Sequence, residues 1–408
     1  MTSHKHVHLH VHTEHSLLDG INKIKEYPRF CKDKLGAEAC AITDHGNLGG
    51  AWAFTKECRE VGIRPLIGLE AYVSGQDLPS RERNEHGKAY YHLILLAQHN
   101  AGLKNLFALN TRAAVENTYY KPRVTNQMLE ELNEGLLATS ACLGSLFSQT
   151  IMAGDHKQAE RLIDYHAALF KDRFFIELQT HQTPEQALVN NVLISIAKRK
   201  NLPLVLTSDA HYEHARDKGH HELTLRMNTN ASPDDDGFSF GGIECHLHTH
   251  DELAHKAQVQ GIPYEAISNT VHVASLIDDA SYFSDRRNHF PTFKNLPEGM
   301  TSWKYLEAVA WAGLIKRVGF PVPHNYEERF KEELSILKRS GMCDYILVIW
   351  EWLNAARERD CWIGPGRGSS GGSLICWALE ITQLDPIKYG LLMSRFLNSG
   401  RIGKPILF

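Results

Sequence analysis

The chain lacks most of what would place it outside the cell or in a membrane. Its eight cysteines are scattered and none sits in a C-x-x-C pair, which argues against a disulfide framework and a zinc knuckle and for a reducing compartment. No apolar run reaches bilayer-spanning length, and the polar N-terminus does not read as a secretion signal. The expected location is cytoplasmic, with no membrane partner. A basic excess is also missing. The net charge is −4 with histidine neutral, so contact with nucleic acid must use local patches rather than a global field; Arg286-Arg287 and Lys316-Arg317 could serve, or be solvated surface. There is no low-complexity tract and no internal repeat. What remains is 408 residues, 43% apolar and 23% charged. That is the composition of a soluble globular protein too long for one ordinary core, and two domains are expected.

Histidine is what the chain has in quantity. The opening MTSHKHVHLHVHTEHSLLDG holds six between His4 and His15. In a strand, alternate side chains face opposite ways, so Val7, Leu9 and Val11 would share one face and His8, His10 and His12 the other. Val7–Val11 is the first of seven short apolar runs. The others are Ala39–Thr43, Leu66–Val73, His92–Ala97, Leu136–Ser140, Phe174–Leu178 and Leu204–Ser208, with helical stretches such as Ala51–Val61, Gly102–Val115 and Pro184–Lys200 between them. This alternation predicts a parallel sheet covered by helices and close to a β/α barrel, one strand short of eight. The Gly-rich turns of a doubly wound sheet are missing. Residues 213–290 read as a connector with short elements of its own, including a turn at Pro233–Gly237. A helical region follows at Ser302–Val318, Tyr326–Ser340 and Tyr345–Arg359. It closes with the Gly-rich stretch Gly364–Ser373 and a last helix to about Ile381.

A barrel gathers the C-terminal ends of its strands in one mouth. There the sequence would place His10, His12, Asp19, His45, Glu70, Cys142, Asp209 and His211. His92 fits less well because it opens its apolar run; position along the strand alone favours His99. His, Cys, Asp and Glu together suit Zn²⁺, Mn²⁺ or Fe²⁺ better than Ca²⁺ or Mg²⁺. So many ligands exceed one tetrahedral ion, so two or three divalent ions are expected, bridged by carboxylate and by Glu70 in particular. Clustered ions would activate water and neutralise a phosphate. The other histidines read differently: His4 and His6 as a frayed terminus, and His15, His99, His181, His246, His248 and His250 as structural or solvated.

HLHVHTEHSLLDG, TDHGN, GLEAYV, YHLILLA, TSAC and TSDAHY, in this order, resemble the PHP (polymerase and histidinol phosphatase) domain, most closely the version in C-family bacterial replicative DNA polymerases. The stretch from GMCDYILVIW to MSRFLN is similar to the start of that family's palm. The resemblance covers nearly the whole chain. It implies a distorted seven-stranded (β/α) PHP barrel, an α/β fold, followed by an incomplete, helix-rich palm segment. The implied organisation is 1–212 for the barrel core, 213–290 for the PHP remainder and connector, and 291–408 for the palm. The implied metal ligands are His10, His12, Asp19, His45, Glu70, His92, Cys142, Asp209 and His211, which selects His92 over His99. Of these, His10, His12, Asp19, Glu70, Asp209 and His211 are the expected catalytic set. The implied activity is metal-dependent 3′→5′ removal of nucleotides from a DNA primer end. In the palm, Gly366, Arg367, Gly368, Ser369 and Ser370 would meet nucleotide phosphates through backbone N–H groups, hydroxyls, the guanidinium and the N-terminus of the last helix. The loop is not a P-loop, because it lacks the lysine at that spacing.

The chain departs from the family where RFLN should lead to two metal-binding aspartates. Ile406 and Phe408 stand there instead, so polymerisation is expected to need a C-terminal polymerase half or other replisome subunits. The last helix, Leu374–Leu379, is apolar nearly all round, as if made to pack inside a larger domain. Two rival readings are a small-molecule phosphoesterase of the histidinol phosphatase kind and a metal-stapled, non-catalytic docking domain.

Overall fold

The computed structural model describes residues 6–17, 19–74, 89–229, 241, 243–284 and 291–397. His4, the turn at Pro233–Gly237, Arg286-Arg287, Ile406 and Phe408 lie outside them. The chain divides into two compact units, Met1–Asp285 and Arg286–Phe408. Among the described residues no helix is long and apolar enough to cross a membrane.

The first unit is a curled sheet under helices. Its strands are β1 (Ala39–Ile42), β2 (Arg64–Val73), β3 (Tyr91–Ala97), β4 (Thr118–Tyr119), β5 (Lys121–Val124), β6 (Leu136–Thr139), β7 (Phe174–Gln179) and β8 (Leu204–Thr207). They pair in the order β4-β5-β2-β3-β6-β7-β8, and β1 joins β2. Six of the seven expected runs are strands. The seventh, Val7–Val11, is extended without forming a ladder. It threads between β1 and the segment after β8, where Thr43 N–H donates to the Val11 carbonyl at 2.8 Å and Ala210 N–H to that of His10 at 3.1 Å. Its alternation survives in part: Val7 and Leu9 enter the main apolar core while His8, His10 and His12 are buried elsewhere.

The sheet is mixed rather than parallel. β3 runs antiparallel to both β2 and β6, whereas β1–β2, β6–β7 and β7–β8 are parallel. The helices Ala51–Val61 and Pro184–Lys200 lie where their apolar periodicity predicts. Among the described residues after 212 lie the α-helices Lys218–Thr229, His250–Val259 and Glu265–Ser275. The last of these buries Ala266, Ile267, Val273 and Ala274 in the same core as the sheet, so this stretch packs within the first unit. His6 is buried as well, not frayed: its Nε2 lies 3.1 Å from that of His8.

The second unit is helical: Ser302–Val318, His324–Ser340, Cys343–Arg357 and the short Leu374–Ala378. Leu374 to Leu379 are all buried in a core with Leu306, Ala310, Leu314, Phe330 and Leu337. The apolar circumference of the last helix is therefore covered by this unit's own helices, and no larger domain is needed to bury it.

Candidate metal centre

β1, β6 and β8 end at one rim of the curled sheet, and the segments that follow carry His45, Cys142, and Asp209 with His211. Asp209 and Ala141 hold left-handed backbone angles, φ 49° and 57°, a conformation uncommon for residues with a side chain and frequent at functional turns. His10 and His12 come from the extended N-terminal segment, and Asp19 from the loop after it. Glu70 comes from β2. His92 is the second residue of β3, and because β3 is antiparallel its beginning lies at the rim where its neighbours end. Glu70 pairs with Ile94 and His92 with Tyr72, so Glu70 and His92 are diagonal neighbours on one face, within reach of each other. His99 stands at the other end of β3, just before the helix Asn100–Glu116.

Glu70 lies at the centre and is wholly buried. Its Oε1 is 2.8 Å from His92 Nδ1 and 3.3 Å from His10 Nε2. Its Oε2 meets His45 Nδ1 and lies 3.9 Å from His12 Nε2. Asp209 Oδ1 is 3.1 Å from both His10 Nε2 and His12 Nε2. Asp19 Oδ1 is 3.2 Å from His45 Nε2, and its Oδ2 is 3.6 Å from His211 Nε2. Cys142 Sγ lies 3.5 Å from His92 Nδ1 and 3.7 Å from Glu70 Oε1. Gly144 makes room for this corner: a Cβ there would come within 2.9 Å of His92 Nδ1. All nine residues named from the sequence converge here.

Three histidines are held with one nitrogen proton-bearing and the other turned inward. His10 Nδ1 donates to Glu177 Oε1 at 2.8 Å. His12 Nδ1 donates to Ser16 Oγ at 3.0 Å, whose hydroxyl donates to Asp44 Oδ1 at 2.8 Å. His211 Nδ1 donates to the Asp209 carbonyl at 2.7 Å. Partners of this kind fix the tautomer of metal-binding imidazoles. Glu177 escaped the sequence reading, and Ser16 and Asp44 entered only as letters of the motifs HLHVHTEHSLLDG and TDHGN. Glu177 sits inside the apolar run FFIELQ, where a lone carboxylate that must be buried was the available signal. It also accepts from Thr207 Oγ1 at 2.5 Å and from Thr139 Oγ1.

The electrostatics are those of a cation site. Burial alone would raise the pKa of Glu70, yet His92 and His45 hold it well below the carboxylate range. Burial also opposes protonation of His45, but Glu70 and Asp19 push it up to about 10. For His12 burial prevails, reinforced by His45 and His211, and lowers it to about 3. Burial, then Glu70 and Asp209, drive the Cys142 thiol well above its usual range. Meanwhile His10 Nε2, His12 Nε2, Asp19 Oδ1, Glu70 Oε2 and Asp209 Oδ1 are buried and face one another at these distances without a well-aligned hydrogen bond. Buried orphan atoms of this density are costly unless something positive satisfies them. His12/His45/His211, His10/His12/Glu70 and Glu70/His92/Cys142 form three triads whose ligand atoms lie within 4.8 Å of one another. The donor set, imidazole and carboxylate with one thiol, fits ions of the Zn²⁺, Mn²⁺ or Fe²⁺ class, and the Glu70 carboxylate, common to two of the triads, would contribute to more than one such group.

In the second unit, Gly366, Arg367, Gly368 and Ser369 are exposed and Ser370 half-exposed. The helix after them is already capped: Glu333 accepts from Leu374 N–H at 3.0 Å, Ile375 N–H at 3.2 Å and Ser373 Oγ at 2.8 Å. Arg329 Nε donates to the same carboxylate at 2.7 Å. The helix N-terminus expected to help hold phosphate is thus filled by a protein carboxylate, leaving only the loop itself.

The family model of the PHP domain matches residues 8–181, and that of the bacterial DNA polymerase III alpha NTPase domain matches residues 304–406. The chain is 35% identical over 413 residues to the DNA polymerase III subunit alpha of Aquifex aeolicus, covering 98% of this chain and 35% of that protein. It is 35% identical over 400 residues to the same subunit of Borreliella burgdorferi, covering 98% and 34%. With that of Thermus aquaticus the identity is 34% over 458 residues, covering 98% and 38%. The chain spans about a third of the length of these curated relatives.

Proposed function

The chain belongs with the bacterial DNA polymerase III alpha subunits, carrying a PHP domain and part of the alpha NTPase domain, and from that premise we propose that it serves DNA replication as a segment of such a polymerase whose PHP centre removes nucleotides from DNA 3′ ends. The observation that carries this reading is Glu70, buried and shared by two of the three triads. His10, His12, Asp19, His45, Glu70, His92, Cys142, Asp209 and His211 would hold two or three ions of the Zn, Mn or Fe class. When bound, such ions supply an activated water and neutralise phosphate charge.

The chain's own residues do the rest. Glu177 and the Ser16–Asp44 relay keep His10 and His12 presenting Nε2. Tyr90, half-exposed beside His92 with the two rings parallel, and Lys121, 5.6 Å from the Tyr72 ring, give the rim an aromatic face and a cation. Those are the elements that stack a base and meet a backbone phosphate at a single-stranded end, and they favour a nucleic-acid substrate over a small phosphomonoester. Gly366, Arg367, Gly368, Ser369 and Ser370 are proposed to meet nucleotide phosphates, with primer extension requiring further polymerase residues or a partner chain. A cytoplasmic location follows from the same reading.

The test is a gel assay on a 5′-labelled primer–template with a mismatched 3′ end, in Mn²⁺, Zn²⁺ or EDTA, beside a phosphomonoester assay. Metal-dependent shortening that His10→Ala/His12→Ala abolishes is expected. Turnover of the phosphomonoester alone would move the substrate to small molecules. Absence of both in every metal would reduce the centre to a structural staple.

A further inference from the structure

The first unit holds a second group of metal-competent side chains, outside the mouth. Glu244, His246 and His248 each offer one ligand atom, and the three atoms lie within 4.8 Å of one another. His246 and His248 are two residues apart on an extended segment, with rings stacked at 3.9 Å. The His246 side chain is 8% exposed, yet neither of its ring nitrogens has a hydrogen-bond partner. Glu252 Oε1 stands 3.7 Å from its Nε2, too far for one. A buried imidazole with both nitrogens unsatisfied needs an explanation.

His248 is oriented as a metal-binding imidazole would be. Its Nδ1 donates to the His246 carbonyl at 2.9 Å, the same use of the carbonyl two residues back that orients His211 in the mouth. The proton is thereby fixed on Nδ1, and the Nε2 lone pair is turned toward Lys256, whose Nζ donates to it at 2.8 Å. The same ammonium lies 2.5 Å from Glu244 Oε2. A positive charge thus already stands where two of the three ligands converge.

We propose that Glu244, His246 and His248 form a second divalent transition-metal site, for which the ammonium of Lys256 holds the place. Two imidazoles and one carboxylate suit Zn²⁺ and its neighbours and are poor ligands for Ca²⁺ or Mg²⁺. Withdrawal of Lys256 frees the Glu244 oxygen and the His248 Nε2, and the ion also satisfies His246. With Nδ1 donating and Nε2 accepting, the His248 ring is the neutral tautomer that can ligate. The segment is placed to act as a staple. The Cys245 carbonyl accepts from His211 N–H at 2.7 Å, Leu247 N–H donates to Tyr212 at 3.1 Å, and the His248 carbonyl meets His8 Nε2 at 3.0 Å. An ion here would tie down the strip that backs His211.

The experiment titrates Zn²⁺ into the full chain against a chromophoric chelator, and Co²⁺ with its visible spectrum, in wild type, Lys256→Met, His246→Ala and Glu244→Gln. Lys256→Met is expected to tighten one equivalent by about tenfold or more, and His246→Ala to abolish that equivalent. Glu244→Gln, at an exposed position, is expected to weaken it, and this keeps the test readable if His246→Ala folds poorly. The same equivalent must persist in His10→Ala/His12→Ala, which separates it from the mouth and from the nuclease reading. Identical stoichiometry and affinity in wild type, Lys256→Met and Glu244→Gln would overturn the proposal.

Discussion

The two units solve the burial of polar groups in opposite ways. All but two of the 24 histidines precede residue 286, and six of the seven tryptophans follow it. In the first unit, buried imidazoles and carboxylates crowd together with several atoms unsatisfied. In the second, the wholly buried Glu333 is fully engaged by Arg329, Ser373 and two helix N–H groups. A satisfied buried carboxylate is architecture, whereas a buried cluster with unsatisfied atoms is the pattern of a ligand-binding site. The contrast supports the metal chemistry proposed for the first unit and marks Glu333 as a structural cap in the second.

The sharpest way to break that contrast is Glu70→Gln. It removes the shared charge of two triads, so metal-dependent nuclease activity should fall by at least about a hundredfold, with bound metal lost by atomic emission. Undiminished metal content would remove Glu70 from the centre. In the second unit, Glu333→Ala leaves Arg329 Nε and the Leu374 and Ile375 N–H groups without their acceptor, and should cost about 3–5 kcal/mol. Tryptophan fluorescence during urea unfolding would register the loss in the second unit, and nuclease activity should be unchanged.

The units should also respond oppositely to acid. His166 is buried between Phe147 and Phe174, and burial lowers it to about 4. Its folded value lies below its unfolded one, so its contribution is present above the unfolded value near pH 6.5 and is lost as pH falls toward 4. The loss amounts to about 3 kcal/mol. Urea unfolding of His166→Leu should be flatter across that window than wild type. Burial raises Glu333, so its contribution is present at low pH and is lost as pH rises through its folded value, an effect that Glu333→Gln should erase in the fluorescence transition. Smallest of all, Glu177→Gln keeps the shape around His10 but weakens its orientation, and metal affinity should fall by about 10- to 100-fold. An unchanged affinity would make Glu177 merely a satisfied core carboxylate.

Much of the first unit was legible because strand and helix periods are local. The helices Ala51–Val61 and Pro184–Lys200 and six of the strands follow from their own apolar patterns. The helices after residue 212 were not, because their apolar faces are short and answer to a core built elsewhere in the chain. His92 was ambiguous because a residue near the start of a strand reaches the rim only if that strand is reversed, and reversal is a property of the sheet. For Glu177 the apolar run around it marked a buried carboxylate but not its role, because its partners, His10, Thr139 and Thr207, come from three other segments.

By itself the sequence determined which residue types were available and how they alternate, since side-chain direction along a strand has a period of two whatever the strand packs against. It therefore put His8, His10 and His12 on one side and supplied carboxylates near the ends of other runs. Only the tertiary structure decided who meets whom: that β3 turns back to deliver His92, that Glu70 is the common neighbour, that Glu333 closes the helix end offered to phosphate, and that Lys256 stands among Glu244 and His248. These are contacts between segments far apart in the chain, and no local pattern encodes them.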